Sequence, residues 1–187
     1  MAKRLLLGTV LGGLVVYVWG AISWMVLPWH TATFQAFSNE EVVVTLLQLT
    51  ATKPGVYLLP KAGGSASEQK AAHERMKQGP VMLAAIRPQG ANPSDPMFYV
   101  KGLALELCGA FLMTWLIMTL PGMSFSARVR TVTLVALIAG VLTRVPDWHW
   151  WGFSAGYTIV QMLDLLIGYF LAGLVIAKVT TPKPSAS

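Results

Sequence analysis

Residues 5–27 hold no charged side chain, and three further apolar runs follow at residues 99–120, 131–145 and 154–179. A bilayer core about 30 Å thick takes roughly 20 helical residues to cross. Four such runs predict an α-helical integral membrane protein. Its architecture is a four-helix transmembrane bundle with a small extracytoplasmic α+β lobe between the first and second spans. The third run is short and needs its flanks to complete a crossing. Charged residues make up only 12% of the chain against 55% hydrophobic ones, with mean hydropathy +0.58. Soluble domains average about 25% charged residues, so the composition also favours a membrane.

Punctuation sets the predicted bounds. Pro28 stops the first span, Pro121-Gly122 the second and Pro146 the third, while Pro182 and Pro184 follow the fourth. The organisation expected is a first helix over 1–27, a lobe over 28–98, and three more helices with a short tail over 99–187. The first run follows Lys3 and Arg4 as a signal peptide would. It exceeds the usual apolar core of about 7–15 residues, and no A-x-A site follows, so it is read as an uncleaved span.

The net charge of +6 raises the possibility of nucleic acid, but topology accounts for it better. Lys3 and Arg4 precede the first span, Arg128 and Arg130 fall between the second and third, and Lys178 and Lys183 end the fourth. With four spans these share one side, which the positive-inside rule makes cytoplasmic. Both termini are then inside, and residues 28–98 are outside. No Gly-rich phosphate loop, zinc-ligand spacing or RNA-binding signature is present, so neither nucleic acid nor a cofactor is expected.

"VPDWHWWGF", residues 145–153, then reads as a tight outer turn between two helices. Trp148, Trp150 and Trp151 suit an aromatic belt at headgroup level, as do Trp24 and Trp29 at the end of the first span. His30 and His149 fall at the same rim and are weak metal candidates, since no helical i, i+4 ligand pair exists. They are expected to be solvated, as is His73. Cys108, the lone cysteine, excludes an intrachain disulfide and is expected to be an inert core thiol.

Within the lobe, Ser38 with Glu41 and Ser65 with Glu68 have the spacing of capping boxes. They predict helices over "EEVVVTLLQL" and "SASEQKAAHERMKQ", the latter stopped by Gly79. "GVYLLP" and "PVMLAAIR" are strand candidates, and Asp95-Pro96 starts the second membrane helix. A two-stranded sheet is marginal alone. The lobe is therefore expected to rest on the bundle or the headgroups, with Val42, Val43, Leu46, Leu47 and Leu49 as its adhesive surface. It serves either as a covering lid or as a docking surface.

Small residues mark packing faces: Gly8, Gly12 and Gly20; Gly102 and Gly109; Ala136 and Gly140; Gly168. On these stripes stand Glu106, Arg144 and Asp164, all in the outer half of their spans. An ionised group at mid-membrane costs about 2.5–3.5 kcal/mol on insertion scales, so such groups turn inward and pair. The expectation is a polar cluster of Glu106, Arg144 and Asp164, bordered by Tyr157, Gln161 and Lys101. It acts as an ion-pair lock or as a proton or ligand site.

Three stretches, "AISWMVLPW", "GVYLLP" and "WHWWGFSAGYTIVQMLDLLIGYFLAGLVIA", resemble an uncharacterised family of small four-span bacterial inner-membrane proteins. The resemblance implies that location and brings no activity and no catalytic residues. No nucleophile elbow or Ser-His-Asp order is legible. The first expectation is therefore a non-enzymatic accessory or scaffolding subunit of a larger membrane complex, with the bilayer and a membrane protein or another copy as partners. The second is a small transporter or sensor using the Glu/Asp/Arg cluster. An intramembrane enzyme acting on lipid has least support.

Overall fold

A computed structural model describes residues 1–181. In chain order the elements are α1 (Ala2–Met25), α2 (Glu40–Thr50), β1 (Gly55–Leu59), α3 (Ala66–Gln78), β2 (Met82–Ile86), α4 (Pro96–Thr119), α5 (Phe125–Trp151) and α6 (Ala155–Thr180). They fall into two compact units. One comprises α1 with the segment to Phe34 and α4 to α6; the other is Gln35–Pro93. Four helices, α1, α4, α5 and α6, are long and apolar enough to cross a membrane.

In the helical unit, α1 packs on both α4 and α6, α6 also packs on α5, and α4 barely touches α5. The order across the unit is therefore α4, α1, α6, α5, with a cleft left between the outer two. The dry core joins Val16, Ile117, Val132, Ala172 and Ile176 from all four helices. Most of these lie toward the end where α4 stops and α5 starts, called the arginine end below. The opposite, tryptophan-rich end is less tightly closed.

Small residues set the close approaches. A Cβ added at Gly13 would lie 3.0 Å from the Leu107 Cα, so α1 and α4 meet there backbone to backbone. A Cβ at Gly168 would lie 2.9 Å from the Trp19 ring, which holds α6 against α1. Gly20 has open space beside it. Gly13→Val is thus expected to destabilise the chain by about 1–3 kcal/mol through overpacking, with Gly20→Ala as a neutral control. Melting curves in detergent check this, and equal melting of both variants would refute the helix contact.

The third long helix runs further than expected. Pro146 does not end it, and Asp147 to Trp151 are its last turns rather than a loop. Proline removes one backbone donor, but the turn around it is held by Arg144, whose guanidinium lies 3.6 Å from Asp147. The true stop is Gly152, at φ 74°, where a side chain would be strained. Its N–H and that of Phe153 both bond the Asp147 carbonyl. The turn shrinks to the three residues before α6, where the Ser154 hydroxyl accepts from the Tyr157 N–H.

A second correction concerns the arginines. Arg128 lies in the first turn of α5, not in a loop, and is 5% exposed. Its guanidinium donates to the Met123 and Ile117 carbonyls at 3.1 and 3.3 Å and to the Thr180 hydroxyl at 3.3 Å. It ties the end of α4 to the end of α6. Lys183 lies outside the described residues.

In the Gln35–Pro93 unit, β1 and β2 pair antiparallel with Gly55 opposite Ile86 and Leu59 opposite Met82. Both capping boxes were expected, but only that of α3 forms. The Ser65 hydroxyl accepts from the Glu68 N–H, and the Glu68 carboxylate accepts from the Ser65 N–H and hydroxyl. Those bonds hold the Glu68 carboxyl below its usual range. At α2 the cap is Asn39, one residue on from Ser38, and its side chain accepts from the Val42 N–H. Asn and Ser cap about equally well, so spacing to Glu41 was a poor guide. Val42, Val44, Leu46 and Leu49 of α2 are all exposed.

Candidate functional site

The site grows from the end of α1. After Met25 the chain turns back through residues 26–34, a hook closed by a 3-10 turn at Thr31–Thr33. The hook drives His30 inward until it is 1% exposed. Its ring stacks on Trp24 with centroids 3.7 Å apart and meets Trp29 edge-on. Trp29 donates its indole N–H to the Ser23 hydroxyl at 3.0 Å and the Ser23 carbonyl at 3.2 Å. His30 is therefore not a solvated rim residue. Two tryptophans and a serine bury it.

His30 Nε2 lies 2.9 Å from the Ser23 hydroxyl and 3.4 Å from Asp164 Oδ2. The carboxylate favours the form with a proton on Nε2, because a bare nitrogen there would turn its lone pair toward oxygen. Nδ1 is buried with no partner. Serine and aspartate thus share one ring nitrogen. A Ser-His-Asp relay requires two, so this arrangement is not a nucleophilic triad.

Asp164 also receives Trp19. The indole N–H reaches Asp164 Oδ1 at 2.7 Å and the Asp164 carbonyl at 3.0 Å. Both carboxylate oxygens are thereby engaged, one by α1 itself and one by its hook. The bonds fix the Trp19 ring across α6, where Gly168 leaves room for it.

Beside this junction lies a cavity of about 490 Å³. Its walls include Tyr17, Trp19 and Trp24 of α1, Phe98, Gly102 and Glu106 of α4, Arg144 of α5, and Gln161, Asp164 and Tyr169 of α6. At 1.5 Å per residue, Glu106 stands about 15 Å from the start of α4 and Asp164 about 14 Å from the start of α6. Arg144 stands about 10 Å from the end of α5 by the same rise. The three groups occupy similar depths on the tryptophan-rich side.

The sequence-derived cluster is only partly assembled. Glu106, Arg144, Gln161 and Asp164 face one cavity, but the recorded ion-pair partner of Arg144 is Asp147. Among the described residues Glu106 makes no ion pair or hydrogen bond. Tyr157 lies elsewhere, its ring against Phe34 and Phe153. Lys101 is exposed. Trp148, Trp150 and Trp151 are exposed around the end of α5, and Trp24 is half-exposed while stacking on His30. His149 packs against Trp150. Among the described residues no three His, Cys, Asp or Glu side chains gather as a metal site. Cys108 is exposed rather than buried in the core.

Trp19 and Ser23 were the residues sequence reasoning missed, and His30 was placed at the solvated rim instead of in the interior. A signal existed for the first two. Gly12, Val16, Trp19 and Ser23 follow a helical spacing of three to four and so share the buried stripe of α1. His30 had none, because its burial depends on the hook. No family model matches the chain, and neither a curated protein nor a solved structure is significantly similar to it.

Proposed function

We propose that the chain is a multi-pass membrane protein whose polar cavity is a small-molecule binding site, as a small transporter or sensor would have. The observation that carries this is the cavity itself. It brings two carboxyl groups, an amide and six aromatic rings around one space. An ionisable group inside a span is expensive and marks function by default. Support for the bilayer comes from the outward faces of the four helices, where Leu14, Val18, Leu105, Leu112, Leu134, Leu142, Leu163 and Phe170 are exposed. Water would not tolerate that much contiguous apolar surface.

The orientation we favour puts the arginine end in the cytoplasm, with Lys3, Arg4, Arg130 and Lys178 there, and residues 35–93 outside. The resemblance noted above supports a bacterial inner membrane. A second reading, an accessory or scaffolding subunit, is favoured by a different feature. An apolar groove of about 890 Å³ runs between α1 and α6, flanked by Leu11, Leu14, Val18, Leu171 and Val175. Recovery of a stoichiometric partner in mild detergent would favour that reading.

The cavity reading is tested with cysteine chemistry. Gly102 accepts a side chain, since its Cβ would sit 3.7 Å from Tyr17, an ordinary contact. In a Cys108→Ala background, Gly102→Cys is expected to react with a membrane-impermeant maleimide added to the outside of intact cells. Reaction only after denaturation would mean that no water-filled site opens there.

A further inference from the structure

We infer that the cavity takes an organic monocation with apolar bulk, entering sideways between α4 and α5; this rests on the reading of the cavity as a binding site. The argument begins with charge. Glu106 and Asp164 are the acids of the lining, and Arg144 is its one formal cation. Arg144 is drawn off by Asp147, which lies 3.6 Å away and is not part of the lining. Asp164 already accepts from the Trp19 indole N–H at 2.7 Å and has His30 Nε2 at 3.4 Å. Glu106 makes no ion pair or hydrogen bond among the described residues. The lining thus holds two acids, one of them with no ion-pair partner. A ligand that brings one positive charge completes it; an anion would leave Glu106 worse placed.

The walls specify the rest of the ligand. Ring faces attract cations through their quadrupole, tryptophan most strongly. Trp19 is pinned by two hydrogen bonds and Trp24 by its stack on His30. These rings are therefore in place before a ligand arrives, which lowers the cost of binding. Apart from the two carboxyls, the acceptors of the lining are neutral hydroxyls and an amide, and six aromatic rings make up much of the wall. That suits a substituted ammonium better than a heavily hydrated metal ion, and no metal-ligand group is present among the described residues. The weak contact between α4 and α5 supplies the route. Tyr17 and Trp19 of α1, Phe98 of α4 and Arg144 of α5 all line the cavity.

The probe is benzyltrimethylammonium, measured by equilibrium dialysis against the full-length chain in non-ionic detergent, with protein-free micelles subtracted. Neopentylbenzene, its uncharged carbon isostere, and benzenesulfonate serve as comparisons. Saturable binding of the cation is expected, about tenfold or more tighter than either comparison. Glu106→Gln, which breaks no recorded bond, is expected to weaken it about tenfold, and Trp24→Leu to weaken it as well. Lys178→Gln, in the apolar groove, leaves it unchanged. Equal affinity for the isostere, no loss in Glu106→Gln, or no saturable binding of the cation each overturns the inference. If labelled Gly102→Cys still shows an open cavity in those cases, the binding-site reading survives and only the ligand class falls. If the cysteine is sealed, both fall.

Discussion

Arg128→Met lowers the melting temperature of the purified chain by about 5–10 °C, the expected result of losing a buried cation that three acceptors require. Arginine presents five donors in a rigid fork. Here the fork reaches the Met123 carbonyl, the Ile117 carbonyl and the Thr180 hydroxyl from one buried position. Helix C-termini leave carbonyls unsatisfied and partly negative. Ile117 is two residues from the last residue of α4, and Thr180 is the last of α6. Methionine fills similar space and offers no donor. The Ile117 carbonyl would keep only its long 3.4 Å bond from the Leu120 N–H, and the Met123 carbonyl would lose the arginine bond. A loss of about 2–4 kcal/mol follows from leaving such groups unpaired. Arg128→Lys falls between, because one ammonium cannot span three acceptors. A Met variant melting within about 1 °C of the parent would show the brace to be idle.

That arginine illustrates what the sequence could and could not disclose. Its neighbours Pro121 and Gly122 announced a helix break, and Arg128 was expected in the loop there. Nothing local said that α6 would bring Thr180 alongside. The four long helices were legible because apolar length is a one-dimensional property. So were β1, β2 and the Ser65 cap, which depend on neighbours a few residues away. Pro146 misled because a proline near a helix end costs little when the following turn is capped by glycine. Asp164 and Glu106 stood out as acids in apolar runs, and the small-residue stripes put them on inward faces, as a paired cluster and not around a cavity. Their partners did not follow. Trp19 reaches Asp164 across 145 positions of sequence, and His30 does so only because the chain doubles back after Met25. Apolar periodicity is silent about such a hook.

The His30–Asp164 contact offers a way to divide structural lock from ligand site. His30→Ala is expected to cost about 3 kcal/mol. It deletes the stack on Trp24 and the bond to Ser23, and it leaves a buried gap. Asp164→Asn is milder, about 1 kcal/mol, since an amide oxygen can still accept the Trp19 indole N–H. If the two side chains stabilise each other, the double variant loses less than the sum, by about 0.5–1 kcal/mol, the low end of the range for residues in direct contact. Melting of the four chains measures this term. The same four chains, titrated with the cation, give the second axis. His30 approaches Asp164 without being part of the cavity wall. Its removal should therefore depress melting far more than affinity, whereas Glu106→Gln should depress affinity and spare melting. Additive losses would mean that the 3.4 Å contact contributes nothing. If His30→Ala and Glu106→Gln instead weakened melting and affinity in the same proportion, there would be no separate lock, and the hook would have to be counted as part of the binding site.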